Sequence, residues 1–238
     1  MLRRLRRMIG YRIRTTDGSV GTVSDFHFED HTWRIRHMVA DVGWSLTGRR
    51  ALIPARRVGL PNDDERSMEV TLTKAEVKSR PSVETAPPVY RQRELSGPPY
   101  GRPPWGFPSF LIGEAYPVFS GFGPASADWD PHLRSVREVA AYAIQAADGH
   151  VGYVEDFLAR VDNWAILHVL VRIIMPQTGR RVLVPARRFH HFDWDRRLVR
   201  VDLTSAEVRC CPCFSLGPVR PRRTCPDLHV RTSPPVTS

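Results

Sequence analysis

Only a few residues of this sequence have types that suit proton chemistry. His37 and His168 each stand in an alternating apolar segment typical of a strand, where a titrating imidazole suits a proton relay. The alternative, which we favour, is a half-buried histidine with a satisfied hydrogen bond. Four aspartates offer carboxylates either for proton transfer or for turn formation, and we favour turns. They are Asp17, Asp25, Asp148 and Asp156.

Paired arginines flank a short apolar segment twice in the chain. They predict either a basic strip that binds phosphate or an acidic partner, or solvated ends of turns. Aromatic residues are not interleaved with them as in proteins that bind single-stranded nucleic acid. These candidate partner-binding residues are Arg49, Arg50, Arg56, Arg57, Arg180, Arg181, Arg187 and Arg188.

The cysteines all lie near the end of the sequence. Cys210-x-x-Cys213 with Cys225-x-x-x-His229 has zinc-ligand types, but the segment is rich in proline, so we expect no metal site. No Ser-His-Asp arrangement, glycine-rich phosphate loop or paired acid–base motif occurs at a recognisable spacing. The sequence therefore predicts a protein that is not an enzyme, binds no cofactor and has no evident small-molecule substrate.

Charge and hydropathy indicate the compartment and the kind of partner. The net charge is +10, but the excess is spread along the chain and forms no single basic run, which supports nucleic-acid binding only weakly. The apolar runs are too short to span a membrane. No apolar segment follows the arginine-rich start, so a secretory signal is not predicted. We expect a cytoplasmic protein, or one peripheral to the inner membrane.

An internal repeat organises the whole sequence. Residues 11–77 align with residues 142–208 at a constant offset of 131 without a gap, and about two fifths of the paired positions are identical. The matched positions are those that shape hairpins and strands: turn residues, strand glycines, and aromatic residues in alternating segments. These repeat-defining positions are Asp17, Gly18, Gly21, Asp25, Phe26 and Trp33, with Asp148, Gly149, Gly152, Asp156, Phe157 and Trp164.

Each copy ends on a helix-start signal. Thr73 to Glu76 and Thr204 to Glu207 form Thr-x-x-Glu capping boxes, which predict one helical turn after the last strand. Five or six short strands before that turn favour closure into a small barrel, because an open sheet leaves two exposed edges. The prediction is therefore a mainly all-β fold with two barrels.

The predicted boundaries follow from composition. The first domain covers residues 1–80 and the second 132–209. Residues 81–131 form a linker rich in proline and aromatic residues, without regular structure but partly packed on a barrel. Residues 210–238 form a disordered basic tail, which is either a native extension or the product of a shifted reading frame.

The motifs of the repeat resemble those of the PRC-barrel family. The pattern runs from Gly10-Tyr-x-Ile through Asp17-Gly-x-x-Gly-x-Val-x-Asp-Phe26, and continues with Trp33-x-Ile-x-His37, Gly48-Arg-Arg50 and Val70-x-Leu-Thr. The resemblance covers both repeats, or about two thirds of the chain. It is shared with the photosynthetic reaction-centre H subunit and with the ribosome maturation factor RimM.

The resemblance implies a non-catalytic tandem PRC-barrel scaffold that binds another macromolecule, expected to be a protein, or that associates with itself. An alternative is a soluble H-subunit-like protein that assists electron or proton transfer at a membrane complex. A third interpretation is an RNA-associated or ribosome-associated factor, whose binding would weaken steeply with salt. Sequence alone does not choose among the partners.

Overall fold

The computed structural model describes residues 1–43, 48–96, 129–174 and 179–214, with the backbone only for 93–96. The fold is mainly β, as predicted. Within these ranges, no helix combines the length and the apolar character needed to cross a membrane. The predicted tail beyond residue 214 and the linker residues 97–128 lie outside the described residues.

Within the described ranges, both repeats contain the same series of seven strands. The first repeat has β1 (Leu2–Arg4), β2 (Arg12–Thr15), β3 (Gly18–Glu29), β4 (Arg34–Asp41), β5 (Arg50–Pro54), β6 (Val58–Asn62) and β7 (Ser67–Val70). The second has β8 (Leu133–Ser135), β9 (Ala143–Ala146), β10 (Gly149–Arg160), β11 (Ala165–Ile173), β12 (Arg181–Pro185), β13 (Phe189–Asp193) and β14 (Leu198–Val201). The count exceeds the expected five or six because each repeat begins with an additional short strand.

Short helices join these strands. They are α1 (Leu5–Met8), α2 (Lys74–Ser79), α3 (Val89–Ser96), α4 (Val136–Val139) and α5 (Ser205–Cys210), together with 3-10 turns at Ala55–Arg57 and Ala186–Arg188. Both predicted capping boxes are confirmed: the Thr73 hydroxyl accepts from the Glu76 amide at the start of α2, and Thr204 does the same from Glu207 at α5.

All the strands belong to one mixed sheet. Its order is β13-β14-β9-β10-β11-β4-β3-β2-β7-β6, and the remaining strands pair with members of this series. The repeats meet where β4 pairs with β11 through Arg34 and Ala165. On one side of this pair the Ile35 amide donates to the Trp164 carbonyl at 2.8 Å, and on the other side the Ile166 amide donates to the Trp33 carbonyl at 2.7 Å. The two repeats are thus related by an approximate twofold axis.

The repeats exchange their first strands. Strand β1 pairs antiparallel with β10 of the second repeat, and β8 pairs in the same way with β3 of the first. A sequence-based search could not show this, because the exchange leaves the order of residues within each repeat unchanged. The repeats therefore depend on each other for backbone hydrogen bonds as well as for packing.

A single apolar core runs through both repeats. Trp33 packs on Phe189 and Phe192 of the second repeat, with ring centroids 6.2 and 5.8 Å apart. Trp164 stacks on Phe26 of the first repeat at 5.8 Å. Burying aromatic rings of this size is a major source of stabilisation, so the junction is part of the core rather than a contact between two finished domains.

Two repeat-defining glycines allow one strand to approach another closely. A Cβ on Gly21 would overlap the carbonyl oxygen of Asp41, and a Cβ on Gly152 would overlap that of Arg172. Register shifts occur beside both glycines in the pairing of β2 with β3 and of β9 with β10. These glycines let the long strands β3 and β10 bend.

The structure extends the repeat at its end, into residues predicted to begin the tail. The amide of Leu183 donates to Pro212 and that of Phe214 to Arg181, both at 2.9 Å. At the same offset, Leu52 donates to Pro81, and Val83 to Arg50. Residues 210–214 therefore belong to the folded second repeat, as residues 81–83 belong to the first.

The linker also has regular structure where it is described, contrary to the expectation from its proline content. Helix α3 begins directly after Pro87 and Pro88, and proline is favoured at the start of a helix. No proline occurs within α3 itself. Ahead of this helix, Val83 is buried against Val39 and Leu52, so this part of the linker packs on the first repeat.

Candidate functional site

The strand exchange places one buried aspartate of each repeat at a helix start of the other repeat. Asp156 is fully buried, and its Oδ1 accepts the backbone amides of Arg6 and Phe157 at 3.0 and 2.8 Å. Its Oδ2 accepts from Arg4 Nε at 2.8 Å. Asp156 therefore holds the start of α1 through charge-assisted hydrogen bonds.

Asp25 has the equivalent role in the first repeat. Its Oδ1 accepts the amides of Phe26 and Arg137, at 2.8 and 3.1 Å, and its Oδ2 accepts from the Ser135 hydroxyl at 2.5 Å. Burial raises the pKa of Asp25 to about 6 even though these hydrogen bonds favour its charged form. Among the described residues, no arginine side chain bonds this carboxylate as Arg4 bonds Asp156.

The other two aspartates from the sequence analysis are exposed and cap helices. Asp17 Oδ1 accepts the Lys74 amide at 2.8 Å, and Asp148 Oδ1 accepts the Ser205 amide at 2.7 Å. Hydrogen bonds lower the pKa of both carboxyl groups. Their position at helix starts fits the structural interpretation.

A cavity of about 320 Å³ lies beside Asp25, at the first repeat's contact with α4. The polar and charged groups around it come from both repeats and from α3. The cavity is lined by Ser24, Asp25, His27, Val39, Arg50, Val83, Tyr90, Ser135, Arg137 and Glu138.

Three titratable groups of the cavity have perturbed pKa values. Burial raises the pKa of Glu138 to about 7, against the effect of the nearby Arg134 and Arg197. Burial lowers the pKa of His27 to about 3, so its ring is neutral near pH 7. His27 is 2% exposed, and its Nδ1 has no hydrogen-bond partner. With Asp25, the cavity therefore gathers two carboxyl groups that titrate near neutral pH beside a neutral imidazole.

Sequence reasoning missed His27, Glu138 and Ser135. The repeat alignment directs attention to positions that are identical in the two copies, whereas His27 aligns with Leu158, and Glu138 aligns with Arg7. For His27, a useful signal would have been a polar residue in one copy where the other copy has an apolar one.

The eight candidate arginines do not form one surface. The pairs at the two ends of β5 are separated by the length of that strand, about 17 Å for five residues. Arg50 lines the cavity, whereas Arg181 donates to Glu155 Oε2 at 2.8 Å. Arg49 donates to the Arg80 carbonyl at 3.0 Å.

In the second repeat, two further candidates are bonded to neighbouring groups. Arg180 donates to Cys213 Sγ at 2.9 Å, and Arg188 to Asp202 at 3.3 Å. The exposed side chains of Arg56, Arg57 and Arg187 make no hydrogen bond or ion pair within the described part of the chain.

The two histidines from the sequence analysis lie on β4 and β11, opposite Pro54 and Pro185. Both are half-buried, and neither has a partner at Nδ1, contrary to the expected satisfied hydrogen bond. Burial lowers the pKa of His37 to about 4 and also lowers that of His168. Both rings are therefore neutral near pH 7, which makes them poor proton carriers at that pH.

Two groups offer metal-ligating atoms. In the cysteine motif, Cys210 and Cys213 are exposed, while Cys225 and His229 lie outside the described residues. A second group, not found from the sequence, brings together Asp30, His31 and His132. Arg134 already donates to Asp30 at 2.7 Å, and this cation disfavours a metal ion beside it.

Comparison with protein-family models and with curated proteins gave no match for this chain.

Proposed function

We propose that the protein is a non-catalytic tandem PRC-barrel scaffold that binds another macromolecule, most plainly a protein with an acidic surface. The observation that carries this proposal is the group of unpaired exposed arginines at the 3-10 turn Ala55–Arg57. Arg56 and Arg57 are both exposed, and Leu60 follows on β6 with 63% of its surface accessible.

An exposed leucine beside free guanidinium groups suits a protein partner. Leu60 offers apolar area, and the arginines offer donors for carboxylates; arginine is enriched in protein interfaces. Strand β6 also lies at one end of the sheet order, so its surroundings are less covered than those of the central strands. In the second repeat the position of Leu60 is taken by His191, so we assign the contact to the first repeat.

The PRC-type barrels are part of the same proposal. In the first repeat the strands follow the order β5-β4-β3-β2-β7-β6, and the turn Ala55–Arg57 connects the two outer strands. The Thr71 amide donates to the Arg57 carbonyl at 2.9 Å, which links β7 to that turn. The Asp202 amide makes the same bond to Arg188 at 3.0 Å. These bonds support closure of each curled half.

The test compares capture of partners by the full chain and by a charge-reversed variant. Arg56→Glu with Arg57→Glu is expected to lose the protein captured from lysate by the unaltered chain, because reversed charges repel an acidic surface. Arg200→Glu, an exposed change on β14, serves as the control and is expected to retain it. Equal capture by both variants would contradict the proposal. If the chain instead captures RNA, and this binding weakens steeply as salt is added, the result would favour an RNA-associated or ribosome-associated factor.

A second function is favoured by the cavity. The carboxyl groups of Asp25 and Glu138 titrate near neutral pH, which suits a soluble H-subunit-like protein that assists proton transfer at a membrane complex. Co-sedimentation with membranes that hold a redox complex would support this function, and recovery in the soluble fraction alone would contradict it.

A further inference from the structure

The two repeats differ in charge around the exchanged strands. In the second repeat, the carboxylate of Glu155 accepts from Arg181 Nε at 2.8 Å and from Arg172 Nε at 3.3 Å. Arg4 lies 3.6 Å from the other oxygen of Glu155. The chain therefore supplies its own carboxylate to a cluster of three guanidinium groups.

In the first repeat this carboxylate is missing. Ser24 stands at the position of Glu155 and Arg50 at that of Arg181. The side chain of Arg50 makes no hydrogen bond or ion pair with any described residue, and it faces the cavity together with Ser24. Both repeats thus have an arginine at this position, Arg50 and Arg181, but only the second repeat has a carboxylate, that of Glu155, to pair with it.

The surrounding backbone is the same on both sides. Arg137 Nη1 donates to the Ser24 carbonyl at 3.3 Å, and Arg6 Nη1 donates to the Glu155 carbonyl at 2.9 Å. The cavity in the first repeat therefore results from a change of side chains within a conserved frame.

Smaller side chains in the first repeat help to keep this space open. The ring of Phe214 lies on Arg4, 5.5 Å from its guanidinium carbon, whereas the equivalent Val83 lines the cavity. The position of Arg4 itself is taken by Ser135.

We propose that this cavity binds a small organic acid, whose carboxylate pairs with Arg50 in the way that the Glu155 carboxylate pairs with Arg181. The neutral imidazole of His27 also lines the cavity, with its Nε2 3.9 Å from Asp25 Oδ2, and offers a second hydrogen bond, which suits a hydroxyl group next to the carboxylate. The volume of about 320 Å³ is at the lower end for ligand sites, so the acid has few carbon atoms.

The other charged groups of the cavity limit which anion fits. Asp25, Glu138 and the cationic Arg137 line the cavity together with Arg50. The position of Arg172 is taken by Asp41. A doubly charged phosphate would meet more repulsion from these carboxyl groups than a monoanion. The burial that favours a protonated Glu138 also makes it a hydrogen-bond donor to the ligand. We therefore expect binding to strengthen as the pH falls from 8 to 6.

The test is calorimetric titration of the full chain with lactate, a hydroxy acid of suitable size, and in parallel with inorganic phosphate. For six non-hydrogen atoms we expect one site with a Kd of roughly 0.1–1 mM for lactate. Arg50→Gln is expected to weaken binding by roughly tenfold or more, since it removes the charged partner. Its matched control is Arg181→Gln, which alters the equivalent arginine of the second repeat and should leave the lactate affinity unchanged.

Two exchanges between the repeats make the test sharper. Ser24→Glu supplies the missing carboxylate and is expected to abolish lactate binding without unfolding the chain, as thermal melting would verify. Glu155→Ser releases Arg181 but leaves Arg4 and Phe214 in the equivalent space, so it is expected to add no second lactate site. Absence of saturable lactate binding would overturn the proposal, as would phosphate binding in its place or a lactate affinity that neither Arg50→Gln nor Ser24→Glu reduces.

Discussion

The buried Asp156 carboxylate allows a quantitative test of the strand exchange. Asp156→Ala removes the acceptor for two backbone amides and for Arg4 Nε, all between 2.8 and 3.0 Å from the carboxylate oxygens. Hydrogen bonds to a charged group contribute about 1.5–3 kcal/mol each, but such contributions are not additive. Loss of one partner of a buried pair typically costs about 3–5 kcal/mol.

The surroundings place the expected cost toward the lower end of that range. Arg4 is 27% exposed and lies 3.6 Å from Glu155, so its charge keeps a partner and some water. The amides of Arg6 and Phe157 lose their acceptor at a fully buried position. We therefore expect Asp156→Ala to lower the free energy of unfolding by about 3 kcal/mol.

Urea denaturation of the full chain, followed by tryptophan fluorescence, measures this loss. Fluorescence is suitable because Trp33 and Trp164 lie at the junction of the repeats. Asp162→Ala is the control: its side chain is 58% exposed, with ion pairs of 3.9 and 4.0 Å, and we expect a change within about 0.5 kcal/mol. A loss below about 1 kcal/mol for Asp156→Ala would refute the idea that this carboxylate holds the exchanged segment.

Three further changes test other parts of the structure. Burial raises the folded-state pKa of Glu138 to about 7, so the unaltered protein loses stability as the pH rises from about 4 through 7. The effect of Glu138→Gln on the free energy of unfolding is therefore expected to be more favourable at pH 8 than at pH 4, by roughly 2–3 kcal/mol. Equal shifts in the urea midpoint at the two pH values would contradict this. Ala141→Gly is expected to raise the free energy of unfolding by roughly 1 kcal/mol, because Ala141 has a φ of 82°, which strains alanine but not glycine, and the first repeat has Gly10 at this position with a φ of 87°. A lower melting temperature for the variant would argue against this. Gly152→Ala is expected to lower the free energy of unfolding, measured by urea denaturation, by roughly 2–3 kcal/mol, because the added Cβ would overlap the Arg172 carbonyl. Its control is Gly59→Ala, whose Cβ would lie 3.4 Å from the nearest atom and which is expected to cost less than half as much.

Parts of the fold could be predicted because the signals for them are local. The capping boxes at Thr73 and Thr204 depend on four successive residues, and both are present. The alternation around Trp33 and Trp164 likewise indicates strands, and those strands are β4 and β11. Repetition strengthened each of these signals by giving it twice.

The site was harder to predict because its members are far apart in sequence. Asp25 was selected for its place in a repeated strand motif, and its contact with Ser135 spans 110 positions. Arg50 was grouped with the other arginine pairs, but its place in the cavity and its lack of an ion pair with any described residue separate it from Arg181. Only the packed chain shows which of two equivalent arginines lacks an anion.

Residue order alone predicts that this protein is mainly β, that it consists of two related copies, and where the turns and terminal helices begin. Those properties follow from residue periodicity and from hydrogen bonds between near neighbours. Only the packed chain shows that the copies exchange strands, share one core and form a cavity beside Asp25 of the first repeat. The physical reason is that a β-strand satisfies its backbone hydrogen bonds with any strand of suitable register, so the choice of partner depends on long-range packing that residue order does not express.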